Sequence, residues 1–110
     1  MVWRIQDRAT FEALRRSSRR ARRGPVTVTY AAVDEVADPR VAFAIGKRVG
    51  KAVVRNRLRR QIRAVVDGMT ELPTGAYLVA ISPGATVLTY EDLRMNVVNA
   101  MTAASGERHR

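Results

Sequence analysis

The sequence predicts an α+β domain, a two-layer α/β sandwich with helices packed on a small mixed sheet. Three observations carry that prediction. Hydrophobic patterns of strand and helix period succeed one another in the order helix, strands, helix, strand, helix. Gly- and Pro-containing stretches separate the patterned runs. The length of 110 residues suits one modest core, so residues 1–110 are taken as a single domain.

The first helix is expected over residues 7 to about 17, with Asp7 as its N-cap and Phe11 and Leu14 three apart on one face. Six arginines follow within the nine positions 15–23, and Gly24-Pro25 ends that run. β-Branched residues alternating with polar ones predict a strand over 26–30. A second strand is expected over 41–45 after the turn-like stretch 34–39, and the two are expected to pair antiparallel. From 52 to about 66 the period becomes helical: Val54, Leu58, Ile62 and Val65 form one apolar stripe, with Asn56, Arg57, Arg60 and Arg63 on the other side. Arg55 lies near the edge of the stripe. The apolar run 77–81, between Pro73-Thr74-Gly75 and Ser82-Pro83-Gly84, reads as a buried strand. Thr89 with Asp92 three residues later resembles a capping box that opens a last helix, running to about 104 and burying Leu93, Val97, Ala100 and Met101. Residues 105–110 read as a disordered tail.

Charge narrows the function. Twenty Lys and Arg stand against ten Asp and Glu, a net charge of +10, and 18 of the 20 cations are Arg. A polyanion is the expected partner, and planar guanidinium groups suit phosphate forks and base faces, which favours nucleic acid over a membrane surface. Cysteine is absent and no apolar run opens the chain, so neither disulfides, a zinc ribbon nor a membrane span is expected, and the location is expected to be cytoplasmic. The single histidine is His109 and the carboxylates show no metal-ligand spacing, so no catalytic and no metal-binding residue is assigned. Neither a small-molecule substrate nor a protein-bound cofactor is expected.

The most informative stretch lies between Asp38 and Asp67. It contains no acid but carries Arg40, Lys47, Arg48, Lys51, Arg55, Arg57, Arg59, Arg60 and Arg63. Lys47, Arg48 and Lys51 fall at or just before a helix N-terminus, where the macrodipole disfavours each cation by about 0.3–1 kcal/mol. A merely solvated face would mix signs. Backbone N–H groups after Gly46 and Gly50, together with these cations, suit phosphate. The helix offers guanidinium groups and few base-reading side chains, which favours the backbone of folded RNA over the edges of DNA bases.

Residues 47–63, Lys-Arg-Val-Gly-Lys-Ala-Val-Val-Arg-Asn-Arg-Leu-Arg-Arg-Gln-Ile-Arg, closely resemble the signature of the ribonuclease P protein subunit family, with Arg55-Asn56-Arg57 as its central "RNR" motif. The likeness extends to Arg8-Ala9-Thr10-Phe11 and to Leu88-Thr89-Tyr90-Glu91-Asp92. It implies the order αβββαβα, a ribosomal protein S5 domain 2-like fold, and therefore a third strand before the central helix, near 20–23. It also implies the partners, a catalytic RNA subunit and precursor tRNA. The RNA performs the hydrolysis that removes the 5′ leader, with Mg2+, while the protein assists.

On this resemblance Lys47, Arg48, Lys51, Arg55, Asn56, Arg57, Arg59, Arg60 and Arg63 would bind the RNA subunit, and Phe11, Arg15 and Tyr30 the leader. Phe11 and Tyr30 have a second reading as core residues. Asn56 has one as a residue that orders the local backbone. Arg15 stands where many relatives carry a second aromatic, which replaces stacking by cation–π or phosphate contact. The arginine run 15–23 is richer in charge than the family pattern requires and reads as extra RNA contact or a partly mobile arm. Three other functions compete: a ribosomal-type RNA-binding protein without a role in cleavage, a self-sufficient nuclease, and a DNA-binding regulator.

Overall fold

The computed structural model describes residues 3–4, 8–33 and 39–106. Its elements run β1 (Trp3–Arg4), α1 (Arg8–Arg16), β2 (Arg19–Arg23), β3 (Val26–Ala31), β4 (Arg40–Ile45), a 3-10 turn (Lys47–Val49), α2 (Ala52–Asp67), β5 (Ala76–Ile81), a second 3-10 turn (Pro83–Val87) and α3 (Tyr90–Ser105). The strands form one mixed sheet in the order β1-β4-β5-β3-β2.

Strand β5 occupies the centre, where its uncharged sequence, Ala-Tyr-Leu-Val-Ala-Ile, suits pairing on both edges and cover on both faces. It pairs antiparallel with β3 and parallel with β4. The antiparallel pairing expected between 26–30 and 41–45 therefore does not form; β5 lies between the two. β4 reaches β5 through α2, and a parallel neighbour requires a crossover of that kind.

The strand near 20–23 is present as β2, whose sequence Arg-Arg-Ala-Arg-Arg carries almost no apolar signal of its own. It is held by pairing with β3 across the two-residue loop Gly24-Pro25. Gly24 has φ +56°, and glycine at the first loop position fits a tight hairpin. The arginine run is thus no arm. It divides between the last turn of α1, a short link and a sheet edge whose charge discourages pairing with other chains.

One face of the sheet presents Val26, Val28, Tyr30, Val41, Ile45, Tyr77, Val79 and Ile81 to Leu58, Ile62, Val65 and Val66 of α2 and to Leu93, Val97, Ala100 and Met101 of α3. The predicted helical stripes are the buried ones. Each fully buried aliphatic side chain among them contributes about 1.5–3 kcal/mol relative to exposure. Burial also pushes the Tyr77 phenol up to about 12. Its hydroxyl donates to the Pro73 carbonyl at 2.6 Å.

Thr89 caps α3 as expected, its hydroxyl accepting from the Asp92 amide at 3.1 Å. Ser105, expected in a tail, is instead buried in the last turn of α3 and donates to the Met101 carbonyl at 2.8 Å. Asp7 and residues 107–110 lie outside the described residues. Among the described residues no helix is long and apolar enough to cross a membrane.

The opposite face is covered differently. Leu14 of α1 packs on Ala31 and Ala76, with Ala42 and Leu78 beside it. Register then sets two rows of side chains across this face: Arg20, Thr29, Leu78 and Ala42, followed by Arg22, Thr27, Ala80 and Ala44. α1 reaches the first row only. In the second, Arg22 and Ala44 are exposed.

Candidate RNA-binding surface

The cationic segment is built on a turn pinned from below. Val49 is buried beneath the 3-10 turn, and the Gly50 amide donates to the Lys47 carbonyl at 3.2 Å. A Cβ on Gly50 would lie 3.2 Å from Cβ of Val54, so the glycine lets the turn sit close against the first turn of α2. Arg55 is half-buried and its Nε donates to the Gly50 carbonyl at 3.0 Å, which ties the helix start to the loop. The Asn56 side-chain oxygen accepts from the Arg59 guanidinium at 2.9 Å, so in this structure Asn56 orients a cation and not the backbone.

Lys47, Arg48, Lys51, Asn56, Arg57, Arg60 and Arg63 are exposed, and Arg59 is half-buried. None of the eight cations from 47 to 63 has an acidic partner: the two ion pairs among the described residues, Glu12–Arg15 and Glu91–Arg94, lie on other helices. Lys51 is the N-cap of α2, extended and without a side-chain cap bond, and the first turn holds no acid. The N–H groups of that turn are left for water or an anion. Arg40, from the same acid-free stretch, is placed apart, opposite Ala76 on the α1 side of the sheet, with its Nε buried and without a hydrogen-bond partner.

The three residues assigned to the leader are not equivalent. Phe11 is 39% exposed, whereas Leu14, three residues on, is buried. Arg15 is one turn further along α1, exposed, and bonded to Glu12 at 3.2 Å. Tyr30 is only 5% exposed. Its hydroxyl donates to the Thr74 carbonyl at 2.6 Å, and its ring lies 5.0 Å from that of Tyr77. The Arg19 guanidinium stands 4.7 Å over the ring. Gly75, at φ +133°, admits it, since a Cβ there would come within 2.7 Å of the ring. Tyr30 is therefore a core residue and no surface platform for a base; the neighbouring strand has placed Arg19 over it. α1 and α2 lie on opposite faces of the sheet, so the structure separates Phe11 and Arg15 from the α2 cations.

Comparison with known proteins decides between the RNA-binding readings. The Ribonuclease P family profile matches residues 2–105. The chain belongs to the ribonuclease P protein family. The ribonuclease P protein component of Thermobifida fusca is 34% identical over 114 residues, covering 96% of this chain and 78% of the relative. That of Clavibacter michiganensis is 32% identical over 103 residues, covering 92% and 91%. Among solved structures, the Staphylococcus aureus RNase P protein superposes with a TM-score of 0.83 at 19% identity, covering 93% of this chain and 94% of that one. The Thermotoga maritima RNase P protein gives 0.76 at 17% identity, covering 89% and 94%. These two likenesses show the shared fold.

Membership in the ribonuclease P protein family bears out the function read from the RNR motif: a protein component of the ribonucleoprotein endoribonuclease of tRNA 5′ processing. The ribosomal-type alternative gains no support. What the sequence reading missed is the placement of Arg20 and Arg22, which the rows across the sheet put on the α1 face. The alternation of Arg with Ala21 was the available signal, hidden because all but one of these residues are cations.

Proposed function

We propose that this chain assists a catalytic RNA in removing the 5′ leader from precursor tRNA by docking that RNA on the outer face of α2 and the turn before it. One observation carries the reading: an uncapped helix N-terminus with no acid in its first turn opens a segment, 47–63, whose eight cations have no acidic partner among the described residues. Arg57, Arg60 and Arg63 meet phosphates from the exposed side of α2, Lys47, Arg48 and Lys51 do so beside its N-terminus, and Arg55 and Asn56 position the loop and Arg59. Phe11 and Arg15 meet the single-stranded leader, Phe11 by stacking. The hydrolysis and its magnesium ions belong to the RNA, and the protein works in the cytoplasm with no small-molecule substrate.

The test is reconstitution. Added to a matched bacterial ribonuclease P RNA at low magnesium, the protein should raise the rate of cleavage of precursor tRNA at the mature 5′ end. No effect with any matched RNA would reject the proposal, and cleavage by the protein freed of RNA would reject its division of labour.

A further inference from the structure

Among the described residues five large apolar side chains are exposed, and three of them, Val53, Val87 and Tyr90, belong to one end of the molecule. Strand register brings them there. β4 and β5 run parallel and end together, Ile45 beside Ile81, about 4.8 Å apart. The two 3-10 turns leave the sheet from those ends and touch each other, and α2 and α3 start after them and run back over the same face. Val53 is the second residue of α2, Val87 the last of the second turn and Tyr90 the first of α3. A single exposed apolar side chain is ordinary; three gathered around two touching turns, beside Lys47, Arg48 and Lys51, call for an occupant.

The support beneath them is fixed. Val54 and Leu88 pack against the core, and Val49 and Ala85 are buried under the two turns. The Ser82 amide donates to the Pro25 carbonyl at 2.9 Å, the Thr86 hydroxyl to the Pro83 carbonyl at 3.0 Å and the Leu88 amide to the Ala85 carbonyl at 3.3 Å. Val87, 83% exposed, and Tyr90, 46% exposed, are thus presented to solvent by a turn and a helix start that are already ordered.

We propose that Val87 and Tyr90 form a platform on which an unpaired base of the docked catalytic RNA stacks, so that part of the docking energy is insensitive to salt. The proposal rests on the docking of that RNA through α2. Three features favour RNA as the occupant. Lys47 and Arg48 stand exposed on the touching turn, without acidic partners among the described residues, where they can take the phosphates that flank the base. Three side chains fall far short of the roughly 800 Å² per partner that a stable protein interface buries, whereas one ring matches one base. Glu91 and Asp92 follow Tyr90 on α3, and Glu91 pairs with Arg94. These acids turn phosphates away towards Lys47 and Arg48 but do not oppose a neutral base. Bases within a duplex keep their faces covered, so the base comes from a loop or a bulge.

The experiment measures the affinity of the full chain for a matched catalytic RNA over a series of salt concentrations. Tyr90→Ala should lower affinity roughly tenfold at every salt concentration, as for one lost stack, and leave the slope of log affinity against log salt unchanged. Tyr90→Phe, which keeps the ring, should bind as the parent does. Arg57→Ala should behave in the other way, making the slope shallower by about 0.7 to 0.9 as one phosphate contact is lost. Met95→Ala, exposed further along α3, should change nothing. No loss in Tyr90→Ala, a loss matched by Met95→Ala, an equal loss in Tyr90→Phe, or a loss accompanied by a shallower slope would each overturn the platform. Arg57→Ala and Arg60→Ala keep the two readings apart. If they cost affinity while Tyr90→Ala does not, docking through α2 stands and the platform falls; if Tyr90→Ala costs affinity while they do not, the α2 reading falls alone.

Discussion

Helices α2 and α3 are both 16 residues long and bury their inner faces against the same side of the same sheet, yet they begin in opposite ways. α3 follows the rules of helix stability: Thr89 caps it, Glu91 and Asp92 occupy its first turn, and Glu91 pairs with Arg94. The hydrogen bond from Arg94 holds the Glu91 carboxyl below the usual range. α2 breaks each of those rules, with a lysine at its N-cap, no acid in its first turn and, among the described residues, no ion pair on its outer face. The contrast teaches that packing anchors either helix, and that only the helix whose terminus is free of structural duty can give it to an anionic partner.

The comparison breaks first if α2 is not anchored by its inner face. Ile62 is fully buried, so Ile62→Ala should cost about 2–5 kcal/mol in urea denaturation. Val53→Ala, at a side chain 73% exposed on the same helix, should stay within about 0.5 kcal/mol. Similar costs at both positions would show that the helix does not sit as described.

On the outer face, Arg57→Ala or Arg60→Ala should weaken assembly with the catalytic RNA roughly tenfold each without lowering the denaturation midpoint. Arg94→Ala on α3 should leave assembly alone, and an equal loss there would reduce the α2 surface to general positive charge. Thr89→Ala should cost about 1 kcal/mol of stability and nothing in RNA binding.

The smallest effect is the sharpest. Lys51→Asp gives α2 the cap that it lacks and should raise stability by about 0.5–1 kcal/mol while weakening RNA binding. A variant that bound RNA as well as the parent, or gained no stability, would deny that this terminus trades one property for the other.

Much of the candidate surface was legible because α2 is amphipathic over four turns. Leu58, Ile62 and Val65 point inward, and geometry then sends Arg57, Arg60 and Arg63 outward whatever the rest of the chain does. Thr89 and Asp92 were equally readable, since a cap is a contact between residues three apart. Tyr30 was not. A tyrosine at a strand end looks the same whether its ring is bare or covered, and the cover comes from Arg19, Thr74 and Tyr77, the last two more than 40 positions away.

By itself, then, the sequence determined the helices, which of their faces are buried, the acid-free patch from 47 to 63 and the family motif within it, because each depends on residues near one another along the chain. Only the tertiary structure decided that β5 separates β3 from β4, that the charged segment Arg19–Arg23 is an edge strand, and that Arg20 and Arg22 share a face with α1 while Arg19 covers Tyr30 on the other. Strand order and register are settled by pairing between distant segments, and a strand as polar as β2 takes its conformation from its neighbour's hydrogen bonds, since its own side chains carry no hydrophobic pattern to announce it.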